Sequence, residues 1–282
     1  MKVHHLDLFT MCPVGRRFVN GAGSALARGH LVAHALLIET PSDGLVLVDT
    51  GVGEADLRDP SGRLGGAFAW FTGAAKGPTR TALAQVRALG FDPRDVRHIV
   101  CTHLDLDHAG GLGDFPWATV HVHHRERSTA EGRATLPERE RYRPVHFAHG
   151  PKWQTFGASG EPWFGFEAAR DLKGLPPEIL AVPLDGHSRG HACVAVNTRG
   201  RWLLHAGDAI FHRSVVEREA PAMPPGLRVF ERLVAFDRAK VGANHRRLAA
   251  LAEAHGEAVT VFAAHDPVQF ERMKAQADAQ LR

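Results

Sequence analysis

Apolar residues in this chain fall into short continuous runs, at Leu31 to Glu39, Leu45 to Asp49, Arg97 to Thr102, Thr119 to His123, Cys193 to Thr198, Trp202 to His205 and Val259 to Ala263. Each is short and rich in Val, Ile or Leu, the signature of strands buried on both faces. The first two are joined by Thr40-Pro41-Ser42-Asp43-Gly44, a turn-rich link that predicts a hairpin. Between the runs the period changes. Leu83, Val86 and Leu89 form one stripe of a helix over Thr81 to Leu89, stopped at Gly90 as a left-handed C-cap. A longer helical region is expected from about Gly226 to His255, with Phe230, Leu233, Val234, Leu248 and Leu251 facing the core and Gly256 as its stop. Two aromatic segments show no clear period: Gly65 to Lys76, with Phe68, Trp70 and Phe71, and Phe147 to Phe166, with Trp153, Phe156, Trp163 and Phe164. They are either surface insertions packed on the core or the roof of a pocket.

Composition narrows the class. A chain of 282 residues, 44% apolar and 23% charged, is globular rather than disordered or fibrous. No repeat or linker divides it, so one domain over residues 1–282 is expected. The formal charge of +3 comes from scattered basic residues, with no stripe to bind nucleic acid. Cys12, Cys101 and Cys193 are too few for a disulfide scaffold and suit a reducing compartment. The N-terminus lacks an export signal and no window is apolar enough to span a bilayer, so a cytoplasmic protein with no membrane partner is expected. The anomaly is 19 histidines against a single tyrosine, Tyr142.

Many of those histidines cluster at the ends of the predicted strands. His103, Asp105, Asp107 and His108 sit in one loop that runs into Gly110-Gly111. Carboxylate and imidazole together suit Zn, Mn or Fe rather than Ca. Further strand ends carry Asp185-Gly186-His187-Ser188-Arg189-Gly190-His191, His205-Ala206-Gly207-Asp208 and Ala264-His265-Asp266. With Leu47-Val48-Asp49-Thr50-Gly51, these make five ordered motifs that resemble those of the metallo-β-lactamase superfamily of metal-dependent hydrolases. The resemblance implies an α/β fold, a four-layer αββα sandwich of two mixed sheets with helices outside and the metals at one edge.

Carried over position by position, the resemblance implies that His103 and His187 bind a first divalent metal. Asp107, His108 and His265 would bind a second, and Asp208 would bridge the two. Where the family loop reads HxHxDH, this chain has Asp105 in place of the second histidine. An aspartate oxygen reaches as far from Cα as a histidine Nδ1, so Asp105 can still coordinate. It adds a negative charge, leaving the inner shell with its bridging hydroxide formally neutral rather than positive, and an oxygen ligand shifts preference from Zn, the default, toward Mn or Fe. Two such ions would hold a hydroxide at neutral pH, with Asp107 steering a proton to the leaving group. Asp49, His191 and His205 are expected to support the ligands rather than bind metal. His121, His123 and His124 are expected to be structural, and Cys12 is either packing or pocket wall.

Within the family the order and spacing are most similar to lactonase-like hydrolases, including those acting on acyl-homoserine lactones. These commonly carry a tyrosine three residues after the bridging aspartate; here that position is Phe211, and His212 or Arg213 could replace the lost donor. Trp70, Phe71, Phe211 and the segment around Trp163 suggest an apolar pocket. The expected activity is hydrolysis of a lactone or other carboxylic ester. Phosphoester or phosphotriester hydrolysis on the same centre is an alternative, with Arg189 and Arg213 the only visible phosphate partners. From another class comes a non-catalytic metal-binding sensor or partner module. The partner is a small molecule, and a homodimer through exposed aromatics of Phe147 to Phe166 is possible.

Overall fold

A computed structural model describes residues 1–73 and 80–280. Among the described residues, twelve strands form two six-stranded mixed sheets. The first contains β1 (Lys2–Asp7), β2 (His34–Glu39), β3 (Leu45–Val48), β4 (Val96–Val100), β5 (Thr119–His123) and β6 (Lys152–Phe156), in that spatial order. β1, β2 and β3 pair antiparallel, and β3 to β6 run parallel. The second contains β7 (Glu161–Trp163), β8 (Phe166–Asp171), β9 (Ile179–Pro183), β10 (Ala192–Thr198), β11 (Arg201–His205) and β12 (Val259–Phe262), also side by side in chain order. Only β11 and β12 pair parallel there.

The continuous apolar runs have a direct physical cause. Leu36, Ile38, Val46 and Val48 from the first sheet meet Ala181, Val194, Val196 and Phe262 from the second in one buried cluster between the sheets. Their chain neighbours point outward and are buried too: Leu37 and Leu47 against Val86 of the helix Ala82–Ala88, Cys193 and Ala195 against Leu248 and Leu251 of the helix Arg238–His255. With no water on either face, a strand has no polar positions to alternate. The result is the expected αββα sandwich.

Two expectations change. The helical region from Gly226 is two helices, Pro225–Val234 and Arg238–His255. Asp237 caps the second by accepting from the Ala239 and Lys240 N–H groups. The backbone between them donates instead to a neighbouring loop, from Phe236 to the His187 carbonyl and from Asp237 to that of Gly186. The segment Phe147 to Phe166 is neither insertion nor roof: it supplies β6 and β7, and Phe156, Trp163 and Phe166 are buried core residues. Phe147, Trp153 and Phe164 of the same segment are partly buried against the two cores. In Gly65 to Lys76, the helix Gly66–Thr72 is followed by residues 74–76, which lie outside the described residues. Among the described residues no helix is long and apolar enough to cross a membrane.

Candidate metal centre and cavity

Sheet topology brings the chemistry to one edge. β3 and β4 are parallel, paired from Val46–His98 to Val48–Val100 after a register shift at Leu45, and at their ends the Asp49 N–H donates to the Val100 carbonyl. β4 leads into the loop carrying His103 to His108, β9 into the turn at His187, β11 into Asp208 and β12 into His265. The two sheets are tied together at this edge by the Ala192 N–H donating to the Thr102 carbonyl. Gly207 turns the chain out of β11 with φ 52°, and a Cβ there would stand 2.6 Å from His191 Nε2, so only glycine lets Asp208 swing inward.

The seven expected ligand residues come together as two adjoining groups. In one, His187 Nε2 lies 3.1 Å from Asp105 Oδ2, and His103 Nε2 lies 3.5 Å from the same oxygen. In the other, His108 Nε2 is 3.3 Å from His265 Nε2, which is 3.7 Å from Asp107 Oδ2. Asp208 stands between them. Its Oδ2 faces His103 at 3.8 Å and His187 at 3.5 Å, while its Oδ1 faces His108 at 3.3 Å and His265 at 3.0 Å. His103 Nε2 and Asp208 Oδ1 are buried with no hydrogen-bond partner. Buried polar atoms are rarely left unpaired, and here they converge from separate strand ends. The donors fit a pair of divalent cations, each facing three side chains and one oxygen of Asp208.

The remaining ring nitrogens fix which nitrogen points inward. His265 Nδ1 donates to the Val32 carbonyl at 2.7 Å, so it carries the proton and Nε2 is left as the donor atom. Asp49 Oδ2 accepts from His108 Nδ1 at 2.8 Å and from Thr102 Oγ1 at 2.8 Å, and Thr102 Oγ1 in turn lies 3.0 Å from His103 Nδ1. One carboxylate thus orients two imidazoles, one directly and one through a hydroxyl. His191 donates from Nδ1 to the Leu184 carbonyl and accepts the Asp208 N–H at Nε2, 3.0 Å away. His205 accepts the Gly207 N–H at Nδ1. All three expected supporting residues lie where they hold ligands or the backbone beneath them.

Charge follows from this crowding. Burial alone would raise Asp208, but His265, His108 and His187 around it hold its carboxyl well below the usual range. Burial alone would lower His108, yet Asp208, Asp49 and Asp107 push it well above an ordinary histidine. His191 and His205 are pushed down by burial, which keeps them neutral as their hydrogen bonds require.

Asp105 is braced by residues the sequence did not single out. Arg141, at the end of the helix Leu136–Arg141, places Nε 3.1 Å from Asp105 Oδ1 while Oδ2 faces the histidines. The same guanidinium donates to the His187 carbonyl at 2.9 Å and to that of Val234. Burial pushes the Asp105 carboxyl up, but Arg141 and then His103 outweigh it and hold it well below the usual range. Beneath lies Glu126, fully buried, whose Oε1 accepts from the Leu104 N–H and Tyr142 Oη and whose Oε2 accepts from Ser188 Oγ and the Gly190 N–H. Glu126 and Arg141 sit in runs of charge, His124-Arg125-Glu126-Arg127 and Glu138-Arg139-Glu140-Arg141, that read as solvated helix faces. No sequence signal marks which member turns inward.

The centre opens into a cavity of about 770 Å³, walled largely by apolar side chains such as Met11, Leu31, Leu64, Phe68, Leu227 and Phe230. Phe211 and Phe71 line it, Phe211 with its ring 5.8 Å from His187 and 5.4 Å from His265, and Asp105, Asp107 and Asp208 reach it from below. Trp70, expected in the wall, is instead 72% exposed and outside the lining, because it falls on the solvent side of the helix Gly66–Thr72. His212 and Arg213 do not replace the missing tyrosine. His212 Nδ1 caps a turn by accepting from Ser214, and Arg213 pairs with Asp266 at 3.0 Å, so neither lines the cavity. Arg189 lines it but is paired to Glu138 at 2.9 Å. Met11 and Pro13 are wall residues, whereas Cys12 between them is not. His121 bonds His98 and His123 caps a helix, as structural histidines.

Comparison with known proteins agrees with this geometry. Residues 28–265 match the family model of the metallo-beta-lactamase superfamily. A probable metallo-hydrolase from Mycobacterium tuberculosis is 42% identical over 95% of this chain and 81% of its own length. An N-acyl homoserine lactonase from Agrobacterium fabrum is 28% identical over 84% of this chain and 83% of its own. The fold matches a structure of an N-acyl homoserine lactone hydrolase with its product N-hexanoyl-L-homoserine at the catalytic metal centre, with TM-score 0.66 and 22% identity over 96% of this chain and 95% of that one. A dizinc quorum-quenching lactonase aligns at TM-score 0.59 and 15% identity, over 94% and 87% of the two chains. Five motif-bearing strand ends, a sandwich of two mixed sheets and these matches lead to one assignment: the chain belongs to the metallo-β-lactamase superfamily and is a metallo-hydrolase related to the N-acyl homoserine lactonases.

Proposed function

We propose that this chain opens a lactone, or cleaves a related carboxylic ester, that carries an apolar acyl chain. The observation that carries the reading is the placement of the two-part His/Asp centre at the floor of an apolar cavity. His103, Asp105 and His187 would hold one divalent ion, Asp107, His108 and His265 a second, and Asp208 would face both. Zinc is the expected metal, by analogy with the dizinc relative. Bound there, the ions supply water activation and polarisation of the acyl oxygen.

The protein residues have separate tasks. Phe211 packs over His187 and His265 and keeps bulk water from the floor. Asp107, reaching the cavity with 13% of its side chain accessible, is placed to take up the proton released by the attacking water and pass it to the departing alkoxide. Phe71 and Phe230, stacked with centroids 6.4 Å apart, grip the acyl chain and so supply binding rather than chemistry. Phosphate esters have less to hold them, since Arg141, Arg189 and Arg213 are all paired to carboxylates.

The test is a panel of acyl-homoserine lactones of increasing chain length, alkyl lactones, a thioester, a phosphodiester and a phosphotriester, after reconstitution with Zn, Mn or Fe. Lactones should be turned over, with kcat/KM rising with chain length by about 0.8 kcal/mol per buried methylene at most. Phosphotriester turnover exceeding that of every lactone would reject the reading. Metal binding with no turnover in the panel would favour a binding module.

A further inference from the structure

The unusual carboxylate at position 105 has a partner, and the pair is the informative unit. Asp105 splits its two oxygens, Oδ2 toward His103 and His187 and Oδ1 against Arg141 Nε at 3.1 Å. The guanidinium does not extend into solvent, since its side chain is only 16% accessible and it is anchored on the carbonyls of His187 and Val234. These two carbonyls belong to a ligand-bearing loop and to the end of the helix Pro225–Val234, so Arg141 cannot leave without unpairing both.

We propose that Arg141 is a positioning residue that makes Asp105 equivalent in charge to a neutral ligand, so that Asp105 and Arg141 together occupy the place of one histidine. An aspartate adds one negative charge to the centre, and a fixed guanidinium on its far oxygen returns it. The pair also bears on how the carboxylate is presented: Oδ1 lies at ion-pair distance from Arg141 Nε without a hydrogen bond, while Oδ2 is the oxygen turned toward His103 and His187. Arg141 also rules out the simple reverse change. With histidine at 105, the guanidinium would remain as a buried cation, without its carboxylate, beside a divalent ion. An unpaired buried charge next to a like charge is strongly unfavourable.

This inference rests on the metal-centre reading under Proposed function but not on the substrate, and it reverses an intuitive expectation. Asp105→His, which restores the common family motif, should weaken zinc binding at the weaker of the two sites by about tenfold or more. Asp105→His combined with Arg141→Gln should recover affinity to within about threefold of the native protein. The measurements are zinc per chain by elemental analysis after dialysis and zinc affinity by competition with a chromophoric chelator. Thermal unfolding of each variant is followed alongside.

A purely structural Arg141 would make the double variant worse than Asp105→His, whereas charge matching makes it better. A second pair, Asp105→Asn and Asp105→Asn/Arg141→Gln, keeps the side-chain shapes if the histidine variants fail to fold, and the double should again bind more tightly than the single. Asp105→His binding zinc as well as the native chain, or a double variant no better than its single parent in either pair, would overturn the proposal. A native chain that binds no zinc would overturn it together with the metal centre. Metal binding without lactone hydrolysis would remove only the substrate assignment.

Discussion

The two halves of the centre are built from opposite directions. His108 and His265 are held from within, by Asp49 at the end of β3 and by the Val32 carbonyl just before β2. These supports sit at the edge of the first sheet, among the most deeply buried backbone of the molecule. Asp105 and the His187 loop are held from without, by Arg141 and Glu126 of the segment that follows β5. One half inherits its geometry from the sandwich; the other depends on a few charged side chains turned inward from surface helices. The lesson is that carboxylates of one centre are balanced in different ways: Asp208, at a strand end, lies among histidines, whereas Asp105 is met by a guanidinium brought in from outside the sandwich.

The comparison can be broken by substitution, starting where the halves meet. Asp208→Ala removes the one residue that faces both groups, and activity in the lactone assay should fall to background with less than one zinc per chain. Retained activity would mean that the halves do not act together. Asp49→Asn should cost both halves, because Asp49 orients His108 directly and His103 through Thr102, with about 10 to 100-fold weaker metal binding.

Glu126→Gln should cost the outer half alone. A glutamine can present its oxygen to either pair of donors, but its NH2 then faces the Leu104 or Gly190 N–H, leaving one of them without an acceptor, at about 1 to 3 kcal/mol. The readout is the loss of one zinc equivalent with the other retained, together with a lower urea midpoint. Equal loss of both would show that the halves share their supports. Tyr142→Phe removes a single hydroxyl donor to Glu126 and should cost only about 1 kcal/mol, with metal content unchanged.

Acid sensitivity probes the sandwich separately from its ligands. Burial lowers His121 to about 3, and His5 and His123 to about 4. Between those values and 6.5 the unfolded chain takes up protons that the folded chain refuses, so stability falls as pH drops below 6.5. Each such histidine steepens the fall by up to about 1.4 kcal/mol per pH unit. His121→Leu should flatten the urea midpoint between pH 6.5 and 5 in metal-free protein; an unchanged slope would remove His121 as a contributor.

Legibility in the sequence tracked physical visibility. Strands buried on both faces announced themselves as apolar runs, and β9 and β10 flank the GHSRGH turn that pointed to the site. β1 went unrecognised because His4 and His5 interrupt its run, although both are buried. β6 and β7 are edge strands and β8 lies next to the edge, and there Lys152, Glu161, Pro162 and Glu167 face solvent and the pattern dissolves. That the expected ligand residues would converge was legible because residue type, spacing and strand ends coincide. Arg141 and Glu126 were not, since a charged residue on a short helix looks the same whether it faces water or a carboxylate.

Glu126 also bears on the route into the cavity. One buried carboxylate receives backbone donors from both the His103 to His108 loop, at Leu104, and the His187 to His191 loop, at Gly190, so a single side chain ties the two together. Phe18 and Phe71, which line another part of the cavity, stand half exposed on short helices, so the proposed substrate would pass these rings rather than the two loops tied by Glu126.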